Sequence, residues 1–140
     1  MTTKKYQIKA MGHCFVVRKS GLWELSTDLQ YISELADILN KRQGNAFYLI
    51  VDMRGMRVPQ EVKSNNEKYP IFLDRRNQKG EIWLLDDFAQ ADHLLKYFKQ
   101  VSFALKRTTS RDECVEWLAQ YLSPSEADAV TTWLDEEKRQ

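Results

Sequence analysis

Apolar runs and amphipathic segments alternate along this chain, and together they predict an alternation of strands and helices. The run Phe47–Val51 is wholly apolar, which is typical of a central strand with both faces covered. Near the start of the chain, Met11-Gly12 separates two shorter apolar segments and predicts a turn between two strands. The predicted strands in chain order are Tyr6–Ala10, His13–Val17, Phe47–Val51, Glu81–Leu85 and Phe103–Lys106.

Residues that favour helix starts and stops bound the amphipathic segments. The segment Ser26–Asp28 offers three capping residue types, and the apolar residues of Leu29–Leu39 then recur at helical spacing until Gly44. Ser123 precedes a proline, and Glu126 lies three residues beyond it, which predicts a helix start with a capping box. Further helices are predicted from Pro59 to a break near Tyr69-Pro70, over Ala89–Gln100, over Arg111–Leu122 and from about residue 124 to 138.

The predicted order of elements is strand, strand, helix, strand, helix, strand, helix, strand, helix, helix. Each crossover after the first two strands is long enough for parallel pairing, so the sheet is expected to be mixed. We therefore predict an α/β fold in which a mixed β-sheet with an initial hairpin is covered by helices. No repeat, low-complexity tract or linker divides residues 1–140, which predicts a single domain that includes two C-terminal helices, about 111–122 and 124–138.

The order of elements and one short segment resemble the STAS domain, in particular its SpoIIAA-like branch. The segment is Ile50–Val58, in which a strand ends at Asp52 and a short loop leads to an apolar residue. The resemblance implies a SpoIIAA-like fold and a regulatory module without enzymatic activity. Such a module binds a protein partner, as anti-sigma factor antagonists do, in some members through a phosphorylation switch. Some branches of the family bind a small ligand instead.

The chain departs from that family at the start of the helix that follows the segment. Regulated members carry Asp-Ser-Ser-Gly there, whereas this chain continues with Pro59–Lys63 and has no hydroxyl side chain in that stretch. A phosphorylation switch needs a Ser or Thr whose phosphate adds charge at a helix start. Ser64 is the nearest hydroxyl and lies beyond that position. Glu61 either mimics a phosphorylated state or is an ordinary acidic residue, which helix N-termini favour.

Functional residues are expected after Asp52, because loops converge at the carboxyl ends of strands in sheets that helices cover. We predict that this loop and the adjoining helix bind a protein partner. Two alternatives stay open. One is a protein that encloses a small apolar ligand between the hairpin and the helices, and the other is an uncharacterised enzyme that uses Asp52 or Asp86 as a base. The candidate binding residues are Asp52, Arg54, Met56, Arg57, Gln60 and Glu61.

No pattern in the sequence indicates a catalytic centre, a metal site or a cofactor. His13 and His93 lack the spacing of zinc ligands, and His93 is expected on a solvated helix face. A Gly-rich phosphate loop, a nucleophilic Ser elbow and a dinucleotide fingerprint are all absent from the sequence. We therefore expect a protein without enzymatic activity, without a cofactor and without a bound metal.

Composition and charge narrow the class of partner and the location. Lys and Arg number 21 against 20 Asp and Glu, a net charge of +1, so nucleic acid is not an expected partner. Met1–Tyr6 lacks the apolar core of a signal peptide, and no run approaches the ~18 apolar residues of a membrane span. A cytoplasmic location is expected, and Cys14 and Cys114 are then expected to be buried free thiols. The apolar stripe around Trp133 either packs on the domain or docks on a second copy, which leaves a homodimer open.

Overall fold

The computed structural model describes residues 5–41, 45–69 and 72–136. The strands are β1 (Tyr6–Met11), β2 (Cys14–Lys19), β3 (Gly21–Leu22), β4 (Phe47–Asp52), β5 (Met56–Arg57), β6 (Gln78–Leu84) and β7 (Leu105–Thr108). The helices are α1 (Leu25–Asn40), α2 (Gln60–Lys68), a 3-10 helix (Asp92–Phe98), α3 (Arg111–Tyr121) and α4 (Pro124–Glu136). No helix within these described ranges is long and apolar enough to cross a membrane.

Five strands form one mixed sheet in the order β1-β2-β4-β6-β7. β1 and β2 pair antiparallel, and β4, β6 and β7 continue the sheet in parallel. β4 is the central strand, as its apolar sequence predicts. The predicted α/β fold, a mixed sheet with an initial hairpin and covering helices, is confirmed. The short strands β3 and β5, which the sequence did not predict, pair with each other in a second sheet.

Each side of the five-stranded sheet has its own apolar core, because alternate residues of a strand face opposite sides. On one side, Val51 of β4 packs in a core to which α1, α2 and the 3-10 helix contribute. On the other side, Ile50 packs in a core to which α3 and α4 contribute. Cys14 and Cys114 are free thiols buried in this second core, so that prediction is confirmed. The two faces of one strand therefore serve two separate layers of helices.

The predicted cap of the first helix is wrong. α1 begins at Leu25, so the segment Ser26–Asp28 lies inside its first turn. Asp28 is buried and accepts hydrogen bonds from Trp23 Nε1 at 2.9 Å and Asn66 Nδ2 at 3.0 Å. A buried indole N–H needs an acceptor, and Asp28 satisfies that need instead of capping the helix.

The inward face of α1 agrees with the predicted spacing except at its start. Leu35 and Leu39 are buried and Ile32 packs against the same core, whereas Leu29 is 56% exposed. Tyr31, which the prediction did not include, is buried on this face. Gly44 and Pro70, the predicted stop and break, lie outside the described residues, and α1 ends at Asn40 and α2 at Lys68.

Two later elements are shorter or shifted. The segment Ala89–Gln100, predicted as a helix, forms a 3-10 helix over Asp92–Phe98. The last strand is Leu105–Thr108 and begins two residues later than predicted. Phe103 packs edge to face on Phe98, with ring centroids 6.2 Å apart. This aromatic contact lies before the segment that pairs with β6.

The start of α4 is joined to the β1–β2 turn. The predicted capping box forms, since Glu126 N donates to Ser123 Oγ at 3.3 Å and Ser123 N donates to Glu126 Oε1 at 3.2 Å. The other oxygen, Oε2, accepts the backbone N–H of His13 at 2.6 Å. Gly12 has φ +60, and a side chain there would overlap the Glu126 carboxylate. The apolar stripe around Trp133 is buried in the second core, so its packing on the domain is confirmed, while a homodimer stays a prediction.

Candidate functional site

Asp52, the last residue of β4, is a buried carboxylate held by Arg54. Its side chain is 1% exposed. Arg54 Nε donates to Oδ1 at 2.9 Å, and Nη2 donates to Oδ2 at 2.8 Å. The backbone N–H of Arg54 also donates to Oδ1, at 3.1 Å. A bidentate pair of this kind fixes geometry as well as charge, so Asp52 holds the loop in place and is not exposed at the surface.

Arg54 also joins the loop to α4. Its Nη2 donates to the backbone carbonyl of Leu134 at 2.8 Å, and its side chain is only 18% exposed. Asp52 and Arg54 therefore lie toward the side of the sheet that α3 and α4 cover. Their role in the structure is to connect a strand, a loop and a helix end.

Side chains from the loop after β6 hold the other side of the same turn. Gly55 N donates to Asp86 Oδ2 at 2.6 Å, and Gln90 Nε2 donates to the carbonyls of Met53 and Met56, both at 2.7 Å. Gly55 has φ +81, a conformation that glycine adopts without strain. The side chain of Met56 is buried. The turn is thus fixed from two sides, and Met56 belongs to the core.

The other three candidate residues, Arg57, Gln60 and Glu61, are exposed. Within the described part of the chain, the side chains of Arg57 and Glu61 form no hydrogen bond or ion pair. Leu22 lies beside Arg57 in the β3–β5 sheet and is 48% exposed. We call Leu22, Arg57, Gln60 and Glu61 the loop face. It combines one apolar side chain with charges of both signs on a turn that is held firmly.

The start of α2 offers no hydroxyl group. Pro59 occupies the cap position and makes no side-chain hydrogen bond to the helix. The nearest hydroxyl, Ser64 Oγ, lies four residues beyond Gln60 and accepts a hydrogen bond from Gln60 Nε2 at 3.2 Å. The first turn of the helix carries Glu61 as its acidic residue. Phosphate cannot be added at this helix start without a change of sequence.

Asp52 and Asp86, the two carboxylates that an enzyme could use as a base, already accept hydrogen bonds within the protein. Arg54 takes both oxygens of Asp52, and Gly55 N binds Asp86 Oδ2. Among the residues that the structure describes, no group of three or more His, Cys, Asp or Glu could hold a metal ion. Asp52 and Asp86 therefore support the turn from opposite sides.

His93 is not solvated as predicted. Its Nδ1 is buried and has no hydrogen-bond partner among the described residues. Burial, and after it the charges of Lys63 and Lys19, lower the pKa of His93 to about 4. The imidazole is therefore neutral at pH 7.

A cavity of about 440 Å³ lies between the sheet and the layer formed by α1 and the 3-10 helix, and the sequence did not reveal it. Lys19 and Glu81 line it, and both are buried. The sequence-based prediction ended the second strand at Val17. Alternate residues of a strand face the same side of the sheet, so Lys19 lies on the same buried face as Phe15 and Val17. This alternation in the sequence could have predicted that Lys19 is buried.

Comparisons with known proteins give a similarity to solved structures. No family model and no curated protein matches the chain. Among solved structures, the chain is similar to an anti-sigma factor antagonist from Mycobacterium paratuberculosis, with a TM-score of 0.47 and 13% sequence identity. The similarity covers 81% of this chain and 92% of that chain. The similarity concerns the fold alone, and it agrees with the resemblance predicted from the sequence.

Proposed function

We propose that this protein is a regulatory module without enzymatic activity, and that it binds a protein partner through the loop face. This is the kind of role that its resemblance to anti-sigma factor antagonists implies. The observation that carries the proposal is the contrast within one short segment. The side chains of Asp52 and Arg54 bond to each other and hold the turn. Those of Arg57 and Glu61 are exposed and form no hydrogen bond or ion pair with the described residues.

The composition of the loop face suits a protein surface as partner. Leu22 supplies exposed apolar area, and Arg57 and Glu61 supply opposite charges beside it. Opposite charges around an apolar contact favour one orientation of a partner and disfavour others. A turn that is already ordered also loses little conformational entropy when a partner binds.

Binding is proposed to be independent of phosphorylation at the start of α2. The first turn of that helix has no hydroxyl, and Glu61 already places a negative charge there. A carboxylate carries one charge, whereas a phosphate carries more charge and three acceptor oxygens. Glu61 therefore has one of two roles. Its permanent negative charge either keeps the module in a state like the phosphorylated one, or it contacts the partner as an ordinary acidic residue.

The experiment that tests the proposal is affinity capture from native lysate with two charge-reversal variants. Arg57→Glu combined with Glu61→Arg inverts the charges of the loop face and keeps the net charge. Lys79→Glu combined with Glu116→Arg does the same at exposed residues of β6 and α3 and is the matched control. Mass spectrometry identifies the captured proteins. A specific partner should bind the wild type and the control but not the loop-face variant.

Equal capture by both variants would refute the loop face as the binding surface. Circular dichroism and thermal unfolding of each variant show whether it is folded, so a loss of capture through unfolding would be recognised. Arg54 is left unchanged in this design, because its ion pair supports the fold.

A further inference from the structure

The cavity beside Lys19 is separate from the loop face and has the composition of a ligand site. Its volume, about 440 Å³, falls in the range of small-molecule sites, ~300–1,000 Å³. Exposed residues such as Ser102 lie among those that surround it, which places them at its opening. Its walls are mainly apolar and aromatic and include Leu35, Leu49, Val51, Trp83, Leu94 and Phe98.

Lys19 is a charged side chain buried in this apolar setting, and no carboxylate of the described residues contacts its ammonium directly. The residue is 6% exposed, and its ammonium makes no hydrogen bond or ion pair with the described residues. Its neighbours are two aromatic faces, with Nζ 4.3 Å from the ring centre of Tyr31 and 5.5 Å from that of Trp23. Aromatic faces attract a cation but provide no negative charge. Buried lysines are almost always paired, so this one is an exception to explain.

The acidic residue of the cavity wall is not available to Lys19, because other donors occupy it. Glu81 Oε1 accepts from Arg75 Nη1 at 2.7 Å and from Gln78 Nε2 at 2.8 Å. Its Oε2 accepts from Trp83 Nε1 at 2.6 Å. The pair with Arg75 neutralises Glu81. The other carboxylate that favours the ammonium of Lys19 is the buried Asp28, which accepts its hydrogen bonds from Trp23 and Asn66 and not from Lys19.

The other cations around the cavity already have direct partners. Arg76 lines the opening and is paired with Asp74 at 2.8 Å. Arg75 is paired with Glu81. Among the described residues of the lining, Lys19 is therefore the cation that lacks a direct hydrogen-bond acceptor.

We propose that the cavity binds an organic anion with an apolar body, such as a medium-chain or aromatic carboxylate, whose acidic group pairs with Lys19. The apolar walls would cover the body of the ligand, and the anion would supply the hydrogen-bond acceptor that Lys19 lacks. A small inorganic anion would leave the apolar walls uncovered. A neutral lipid would leave the ammonium without a direct ion pair.

The protonation state of Lys19 suits this role. Burial lowers its pKa to about 8, while the charges of Asp28 and Glu81 act in the opposite direction. The side chain is therefore still mainly an ammonium at pH 7 and can pair with a carboxylate. An anion held against it forms a charge-assisted hydrogen bond, which is stronger than a neutral one.

The test uses two acids and their neutral counterparts as probes: decanoate with decanol, and naphthoate with naphthol. Isothermal titration calorimetry measures each probe with the wild type, with Lys19→Met and with Lys9→Met as the control for an exposed lysine of the same hairpin. At least one acid should bind the wild type and the control with one site. Lys19→Met should weaken that acid by about 10- to 100-fold, the effect of one charge-assisted hydrogen bond. Its neutral counterpart should bind all three proteins alike.

Three results would overturn the proposal. One is that neither acid binds the wild type saturably. Another is that an acid and its neutral counterpart bind the wild type equally well. The third is that Lys19→Met binds the acid as tightly as the wild type does. Thermal unfolding of Lys19→Met distinguishes a specific loss of binding from a loss of fold, because a folded variant retains a cooperative transition.

Discussion

Lys19 lowers the stability of the protein at neutral pH, because burial penalises its charge more than the charges of Asp28 and Glu81 favour it. Met has a similar shape and no charge, so Lys19→Met is expected to raise the free energy of unfolding by about 2 kcal/mol at pH 7. Urea denaturation of the variant and the wild type measures this difference. A variant less stable than the wild type would show that the aromatic faces compensate the ammonium fully.

The same substitution should alter how stability depends on alkaline pH. The pKa of Lys19 is about 8 in the folded protein and near 10.5 in the unfolded chain. Between these values the unfolded chain binds a proton that the folded protein has released, so this group makes wild-type stability rise with pH. The gap between Lys19→Met and the wild type is therefore expected to narrow from pH 8 to pH 10.5. A gap that stays constant over this window would contradict the lowered pKa.

Arg54 is expected to matter for stability and Arg57 is not, although only two residues separate them. Arg54→Ala leaves the buried Asp52 carboxylate without its cation and breaks the bond to the Leu134 carbonyl. A loss of about 3 kcal/mol in the free energy of unfolding is expected. Arg57→Ala should change it by less than about 0.5 kcal/mol, because the side chain is exposed and unbonded. Similar unfolding midpoints for the two variants would contradict the roles assigned to them.

At the scale of elements, one carboxylate joins the last helix to the first hairpin. Glu126 completes the capping box of α4 and accepts the backbone N–H of His13 in the β1–β2 turn. These hydrogen bonds, first that of His13 and then those of Ser123, lower the pKa of Glu126 to about 2. The carboxylate therefore stabilises the fold above its ordinary pKa near 4.5, and this contribution is lost as the pH falls toward 2.

Glu126→Gln is expected to lose about 1 kcal/mol of stability at pH 7, because a charged acceptor becomes a neutral one. The difference from the wild type should shrink between pH 4.5 and pH 2, where the wild-type carboxyl becomes protonated. Urea denaturation at a series of pH values measures both effects. Glu116→Gln changes an exposed glutamate of α3 and is the control. A difference that does not depend on pH would show that the charge of Glu126 is unimportant.

The elements that the sequence predicted best were those with a strong local signal. The apolar run of β4 and the start of α4 at Ser123 each rest on residues close together in the chain, and both are observed. The start of α1 was wrong, because Asp28 is taken by Trp23 and by Asn66, which lies 38 residues away. Asp28 has a preference for helix caps, but here it accepts hydrogen bonds from buried donors that the local sequence does not reveal.

At the scale of the whole molecule, the sequence predicted where the candidate residues lie but not which of them are buried and which are exposed. It placed the candidate residues at the carboxyl end of the central strand, where the structure has them. It could not show that Asp52 and Arg54 hold the turn while Arg57 and Glu61 are exposed. The hydrogen bond from Arg54 to the Leu134 carbonyl joins residues 80 positions apart in the chain. The residues that line the cavity beside Lys19 could not be predicted for a similar reason, since its walls come from strands and helices distant in the chain.

Hydrogen–deuterium exchange on the protein, free and bound to a captured partner, tests most directly the central claim that the loop face binds a protein. Binding should slow exchange in peptides that contain Leu22 and in those that cover Met56 to Ser64. The peptides of α3 and α4 lie on the other side of the sheet and should exchange at the same rate in both samples. Slower exchange confined to α3 and α4, with the loop face unchanged, would contradict the account.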